Sequence, residues 1–155
     1  MTTLLSSTDV PNYTDYIHPL TVEAALTVAT DLLPDDRKEI VEGHGNEPFL
    51  VLPLAAHIGE SYYFTTPDDK IMGAAGLTEG GRIWMLCTKY IHKNPIWFAR
   101  GAKHFVDNRS EKLLWNIADK RNRTHLKLLK FLGFKFLREL KHGPNNLSFI
   151  EFCRV

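Results

Sequence analysis

Residues 122–134 read NRTHLKLLKFLGF, and cations gather around them. From Lys120 to Lys141 the chain has eight Lys or Arg and one acid, Glu139. Two readings fit. A helix N-terminus with free backbone amides, set among cations, receives phosphate groups. An ordinary amphipathic helix with a solvated basic face needs the same residues and no ligand. Asn122 is a natural N-cap, because its side-chain oxygen can accept from an early backbone amide. Leu126, Leu128, Leu129 and Leu132 give an apolar face, and Leu128, Leu129 and Leu132 are expected in the core. Gly133 stands where a helix stops with positive φ, and Phe134 begins the next strand. A capped helix explains all of this without a cofactor.

Other chemistry is sparse. His57, His92, His104 and His125 are scattered, and no pair has metal-ligand spacing on a helix face, so no metal is expected. Cys87 and Cys153 lie far apart in apolar surroundings and read as buried thiols rather than a bridge, which fits a reducing compartment. No motif supports a Ser/His/Asp or Cys/His nucleophile.

The elements that would position these groups come from periodicity. The 155 residues, 44% hydrophobic, suit one domain with a real core, taken as residues 1–155, with a helical lead-in over 1–60 and a sheet with helices over 61–155. Nineteen Lys or Arg against eighteen Asp or Glu leave a net charge of +1, which demands neither nucleic acid nor an anionic membrane. MTTLLSSTDV lacks the basic and long apolar segments of a signal peptide, and no apolar run approaches the ~20 residues of a membrane span.

The stretch to Pro19 has no clean period and reads as partly extended. Thr21 caps a helix whose apolar face is Val22, Ala25, Leu26, Ala29 and Leu33. Pro34 opens short turns that end at Gly43. FLVLPLAAHIG is apolar throughout, but Pro53 argues against a central strand, so a short helix is expected. SYYFTT and IMGAAGLT flank PDDK as a hairpin, and RIWMLCT reads as a third strand buried on both faces. A helix follows Pro95 through Ile96, Phe98, Ala102, Phe105 and Val106. LLWNIA is a strand, NRTHLKLLKFL a helix, and FKFLREL and LSFIEFC are strands around HGPNN. The fold class is α/β (α+β): a mixed, mostly antiparallel twisted sheet flanked by helices. Residues 83–88 and 113–118 should form a central, locally parallel pair.

This order resembles the C-terminal half of the GNAT acyltransferase fold. That fold's familiar ending, N-x-x-(small)-x-x-(Leu)-(Tyr)-x-x-x-G-F, is matched here by Asn122, Leu128, Gly133 and Phe134. The resemblance covers roughly residues 61–155 well and the first 60 loosely. Within the superfamily, Trp84-Met85-Leu86-Cys87-Thr88, a long helix, Leu114-Trp115-Asn116 and Asn122 to Phe134 are similar to the small GNAT-like proteins of tailed phages. These include the short internal virion protein of short-tailed podophages.

The resemblance implies an acetyl-CoA site at a splay between the fourth and fifth strands, and two departures bear on it. The loop expected to cradle pyrophosphate, Lys89 to Pro95, has no glycine, which leaves Lys89, His92 and Lys93 as charge partners. Gly101, inside the helix, reads as a packing residue. Leu129 stands where many of these enzymes place a proton-donating tyrosine. Tyr90 and Cys87 are the nearby alternatives, each read first as a buried structural residue, and Glu79 is the main candidate base. Acetyl-CoA binding is therefore expected to be weak or absent. If it occurs, Thr88, Lys93 and Asn122 are the expected contacts.

Two functions follow from the resemblance. One is an internal virion or virion-assembly component, placed in the virion and the host cytoplasm, that contacts other phage structural proteins through Trp97, Phe98 and Arg100, with core burial the first reading of Phe98. The other is an acetyl-CoA-dependent N-acyltransferase. Exposed Tyr62, Tyr63, Trp97 or Phe98 would favour the first, and an open splay beside Thr88 and Asn122 the second. Nucleic-acid binding through residues 120–141 is the weaker reading, since few aromatics are placed for base stacking.

Overall fold

A computed structural model describes residues 12–155; the reading of MTTLLSSTDV lies outside them. Seven strands form one sheet in the order β1-β2-β3-β4-β5-β7-β6. They are β1 (Ile17–Pro19), β2 (Glu60–Thr65), β3 (Ile71–Thr78), β4 (Arg82–Cys87), β5 (Leu114–Asp119), β6 (Lys135–His142) and β7 (Leu147–Arg154). All neighbouring pairs are antiparallel except β4 and β5, which are parallel as expected. The helices are α1 (Val22–Asp31), α2 (Pro34–Lys38), which runs into a π-helical turn over Glu39–Gly43, α3 (Pro48–Ala55), α4 (Pro95–Asp107) and α5 (Arg123–Phe131).

Local chemistry accounts for the helix ends. Thr21 Oγ1 accepts from the Ala24 amide, and the Asn122 side chain accepts from the His125 amide. Proline occupies the first turn of α2, α3 and α4, where no intrahelical donor is needed. Gly133, at φ 90°, lets the chain leave α5, and the Phe134 amide closes the turn on Leu129 O.

The sheet separates two cores. In β4 the alternation is clean: Ile83, Met85 and Cys87 pack with α4 and α5, whereas Trp84 and Leu86 face the core of α1 and α3. Cys87 is buried and Cys153 half-buried, both as free thiols. Gly101 packs on Tyr13, whose ring a Cβ would approach to 3.3 Å.

Several expectations need correction. β4 is not buried on both faces: Trp84 and Leu86 are half-buried, because the sheet opens beside them. Leu128 is half-buried for the same reason, while Leu129 and Leu132 are core residues. Ala25 and Ala29 are buried as expected, but Val22 and Leu26 are exposed; Ala24 and Val28 complete the buried face of α1, which is rotated by about one residue. Ile96 is exposed in the first turn of α4. Phe98 is buried, as its place on the apolar helix face predicts, whereas Trp97 is half-buried under the rings of Tyr13 and Tyr16, with centroids 4.9 Å away in both cases.

Burial ranks the leucines of α5. Leu129→Ala or Leu132→Ala should each cost ~2–5 kcal/mol, and Leu128→Ala clearly less. Urea unfolding of the three single variants measures this; equal losses at all three positions would contradict the assignment.

Candidate functional site at the strand splay

β4 and β5 pair at one point, Arg82 with Trp115, and then part. Asn116 begins the separation. Its Nδ2 donates to Ile83 O at 2.8 Å, and its Oδ1 accepts from the Ile117 amide at 2.7 Å and from Arg82 Nε at 3.3 Å. A side chain thus stands where the next backbone rung would be. Further along, the amides that face the gap still need acceptors. The α2 segment supplies two carboxylates. Asp36 Oδ2 accepts from the Cys87 amide at 2.8 Å, and Glu39 Oε1 accepts from the Asp119 amide at 2.9 Å. The other oxygen of Asp36 accepts from Asn122 Nδ2 at 2.8 Å, which ties the cap of α5 to the same carboxylate. Between these braces lies Met85. β3 takes the main-chain groups of the even-numbered residues of β4, so the amide and carbonyl of Met85 face the gap. They meet no backbone partner there among the described residues.

The gap opens into a cavity of about 360 Å³, within the size range of small-ligand sites. Ile83, Trp84, Met85 and Leu86 all line it. Consecutive strand residues point to opposite faces, so a space that all four touch passes through the sheet. Leu128 and Leu129 of α5 close one side; Ile40, Leu52 and Ala55 close the other.

The titratable groups on its wall are Glu39, His44, Arg82 and His125. Burial drives the Glu39 carboxyl up to about 8, helped by the neighbouring Asp36 and Asp119 and only partly opposed by the Asp119 amide. Burial also pushes Asp36 up, against the pull of His125, the Cys87 amide and Asn122. It pushes His125 down, against Asp36, and lowers His44 to about 4, with His142 and Arg82 adding to the effect. His44 Nδ1 lies 2.9 Å from His142 Nε2, and both rings rest on Phe149. Burial works to raise Asp119 too, but the Arg121 side chain and amide outweigh it and hold it below the usual carboxylate range. Glu39 Oε1 is engaged by the Asp119 amide, the Asn122 side chain also bears on the carboxyl and opposes its rise, and Glu39 lines the cavity.

The residues expected to contact a cofactor lie elsewhere. Thr88 is fully buried: its hydroxyl donates to Ile71 O at 2.7 Å and accepts from the Tyr90 amide. Asn122 is buried between Asp36 and the first turn of α5. Lys93 is exposed. None of the three lines the cavity. Leu129, in place of a tyrosine, offers the cavity only hydrocarbon, and Glu79 is exposed at its turn. Residues 89–93 form a 3₁₀ helix capped by Thr88. Within it the Ile91 amide bonds Thr88 O, the Asn94 amide bonds Ile91 O, and the Tyr90 amide bonds Thr88 Oγ1. Lys89 pairs with Asp31 at 3.5 Å. Asp36, Glu39, His44 and Asn116 were not singled out from the sequence. Their signal was there: Asp36, Glu39, Ile40 and Gly43 share one helical face, and Asn116 is a polar residue in the middle of a strand that is otherwise apolar until its last residue, Asp119. Among the described residues, no group of three or more His, Cys, Asp and Glu could hold a metal ion.

No protein-family model matches the sequence, and no curated protein does. Solved structures do. A GNAT-family acetyltransferase from Bacillus anthracis aligns with a TM-score of 0.67 at 10% identity, over 90% of this chain and 93% of that one. A spermidine N-acetyltransferase from Vibrio cholerae, solved with CoA and spermine, gives 0.65 at 9% identity over 89% and 93%. An IAA acetyltransferase from Bacillus cereus gives 0.55 at 11% identity over 88% and 96%. The chain has the GNAT acetyltransferase fold. At these identities, the likeness is one of fold.

Glu39 generates a pH prediction. Its carboxyl is raised in the folded protein, so between the unfolded value near 4.5 and the folded value of about 8 the native state holds more protons. Its contribution to stability is fully present below that window and is lost as pH rises through it. His44 works oppositely, from about 4 to 6.5, where its contribution is lost as pH falls. Between pH 6.5 and 8 the Glu39 effect stands apart from that of His44. Glu39→Gln keeps an acceptor for Asp119, so the variant should lose less stability than wild type over that interval in urea titrations. Parallel pH profiles would refute the assignment.

Proposed function

We propose that this chain is a GNAT-fold component of a tailed-phage particle, or of its assembly, that works by contacting other phage structural proteins, with its acyl-transfer machinery reduced. The observation that carries the reading is α3. All eight of its residues are apolar, and such a helix belongs in an interior. Here it buries Pro48 and Leu52 and leaves Phe49, Leu50 and Leu54 exposed at 46, 59 and 49%. A surface of this kind marks a contact with another molecule. It takes over the anchoring role expected of Trp97 and Phe98, whose rings are covered; Arg100 remains exposed. The phage setting, the virion and the infected cell's cytoplasm, is supported by the likeness of Trp84–Thr88, Leu114–Asn116 and Asn122–Phe134 to small GNAT-like phage proteins.

The 3₁₀ helix after β4 supports the reduced chemistry. A diphosphate cradle needs backbone amides that are free and convergent. Here the amides of Tyr90, Ile91 and Asn94 are spent inside the segment, and it has no glycine. The gap beside Met85 fits the arm of a thioester cofactor such as acetyl-CoA, but the segment beyond it does not fit the diphosphate.

A second reading, an acetyl-CoA-dependent N-acyltransferase, is favoured by the through-sheet cavity and by the Glu39 carboxyl on its wall. Two measurements separate the readings. Fractionation of purified particles should find the protein inside them; absence from particles with abundance in infected-cell cytosol would overturn the virion role. Calorimetric titration with acetyl-CoA should give no binding in the micromolar range; micromolar affinity with turnover of an amine would establish the enzyme.

A further inference from the structure

We infer that copies of this chain associate head to tail, the outer face of α1 and α3 of one copy seated on the outer face of α5 of the next. This rests on the protein-contact reading above and names the occupant of the apolar face. Apolar exposure is not confined to α3. α1 and α3 pack together on one side of the sheet, and α1 leaves Val22 and Leu26, one helical turn apart, exposed as well. Single exposed apolar residues need no explanation; five on two packed helices do. Acids accompany them: Glu23 is exposed between Val22 and Leu26, and Glu47 precedes Phe49.

The complement lies on the same chain. Charge is segregated along it: residues 12–60 carry nine Asp or Glu against two Lys or Arg, and residues 61–155 carry eight against seventeen. On α5 the outward stripe is Arg123, Lys127, Lys130 and Phe131. Phe131 is 50% exposed, and none of the three cations pairs with an acid among the described residues. An aromatic set among unpaired cations matches an apolar face set among acids in both respects.

The geometry excludes the simpler arrangements. α1 and α3 lie on the sheet face of Trp84 and Leu86, and α5 lies on the face of Ile83 and Met85. One copy cannot fold its own two surfaces together. A two-fold pair through α1 and α3 would bring two acid-bearing faces together and leave the basic stripe of α5 without a partner. A heterologous contact joins unlike surfaces, and its repetition closes a ring or extends a filament.

The test uses sedimentation of the purified full chain. Wild type should associate as concentration rises, and the association should weaken as salt is raised, since the complementary charges are at the surface. Leu50→Asp damages one face, and Lys127→Glu with Lys130→Glu damages the other. All three sites are exposed, and thermal melts check that both proteins stay folded. Each variant alone should self-associate at least about tenfold more weakly than wild type. Mixed, they should form a one-to-one dimer that grows no further, because each supplies the surface the other lacks. Three outcomes overturn the inference: a mixture that stays monomeric, a lysine variant that dimerises by itself through α3, or wild type that remains monomeric at ~100 µM, well above the micromolar constants of weak specific complexes. Monomeric wild type found inside particles would assign the apolar face to a different protein and leave the virion role standing.

Discussion

Two carboxylates on one short segment hold the sheet open. Where β4 and β5 part, their facing amides lose their ladder partners, and a buried amide without an acceptor costs ~1–3 kcal/mol. Asp36 serves the end of β4 and Glu39 the end of β5. Three residues apart on a helical path, they project from neighbouring positions on one face. Asp36 also holds Asn122, so the cap of α5 and the end of β4 share one acceptor. The segment that carries them is pinned closely. A Cβ on Gly43 would lie 2.7 Å from Phe149 Cζ, and Gly143, at φ 78°, lets the β6–β7 turn come against Gly43 O with no room for a side chain. The π-helical turn over Glu39–Gly43 sits in this clamp, with the His44 amide bonded to Glu39 O at 2.9 Å. Such turns concentrate where function or tight packing demands them.

Most of the elements could be read along the chain because their ends are marked locally. Asn122, Gly133, Pro95 and the PDDK and HGPNN turns each act within a few residues, and the strands and helices between them appear where periodicity places them. What could not be read depends on long-range geometry. Asp36 meets partners 51 and 86 residues away. Helical spacing puts Asp36 and Glu39 on one face with Ile40 and Gly43, but DDRKE alone does not turn that face inward until the end of β4 is in place. The exposure of Val22 and Leu26 is of the same kind: α1 has two plausible apolar stripes, and the close approach of α3 selects the alanine-rich one. α3 itself has no polar side to orient it, so its sequence predicts a helix but not which face is covered.

The cavity was expected through resemblance, yet its cause is visible in single residues. Asn116 lies among apolar neighbours in β5 and replaces a backbone rung with its side chain. Trp84 and Leu86 are half-buried because the strand edge beside them is free. Thr88 and Asn122 border the splay in sequence and were natural choices for cofactor contact. Their side-chain polar atoms close β4 and α5.

The splay and the chemistry it hosts are separable. The splay persists because Asp36, Glu39 and Asn116 satisfy backbone groups on either side of Met85, namely the Cys87, Asp119 and Ile117 amides and Ile83 O, and none of the three needs a cofactor to do so. Binding a diphosphate, by contrast, depends on what the segment after β4 does with its amides, and residues 89–93 turn them inward. A chain can therefore keep the cavity as a consequence of its hydrogen bonding while its surface takes on the function. The distribution of apolar area agrees: the through-sheet space is lined by residues that pack on the two cores, whereas the exposed apolar side chains of α1 and α3, Val22, Leu26, Phe49, Leu50 and Leu54, lie outside it and face solvent.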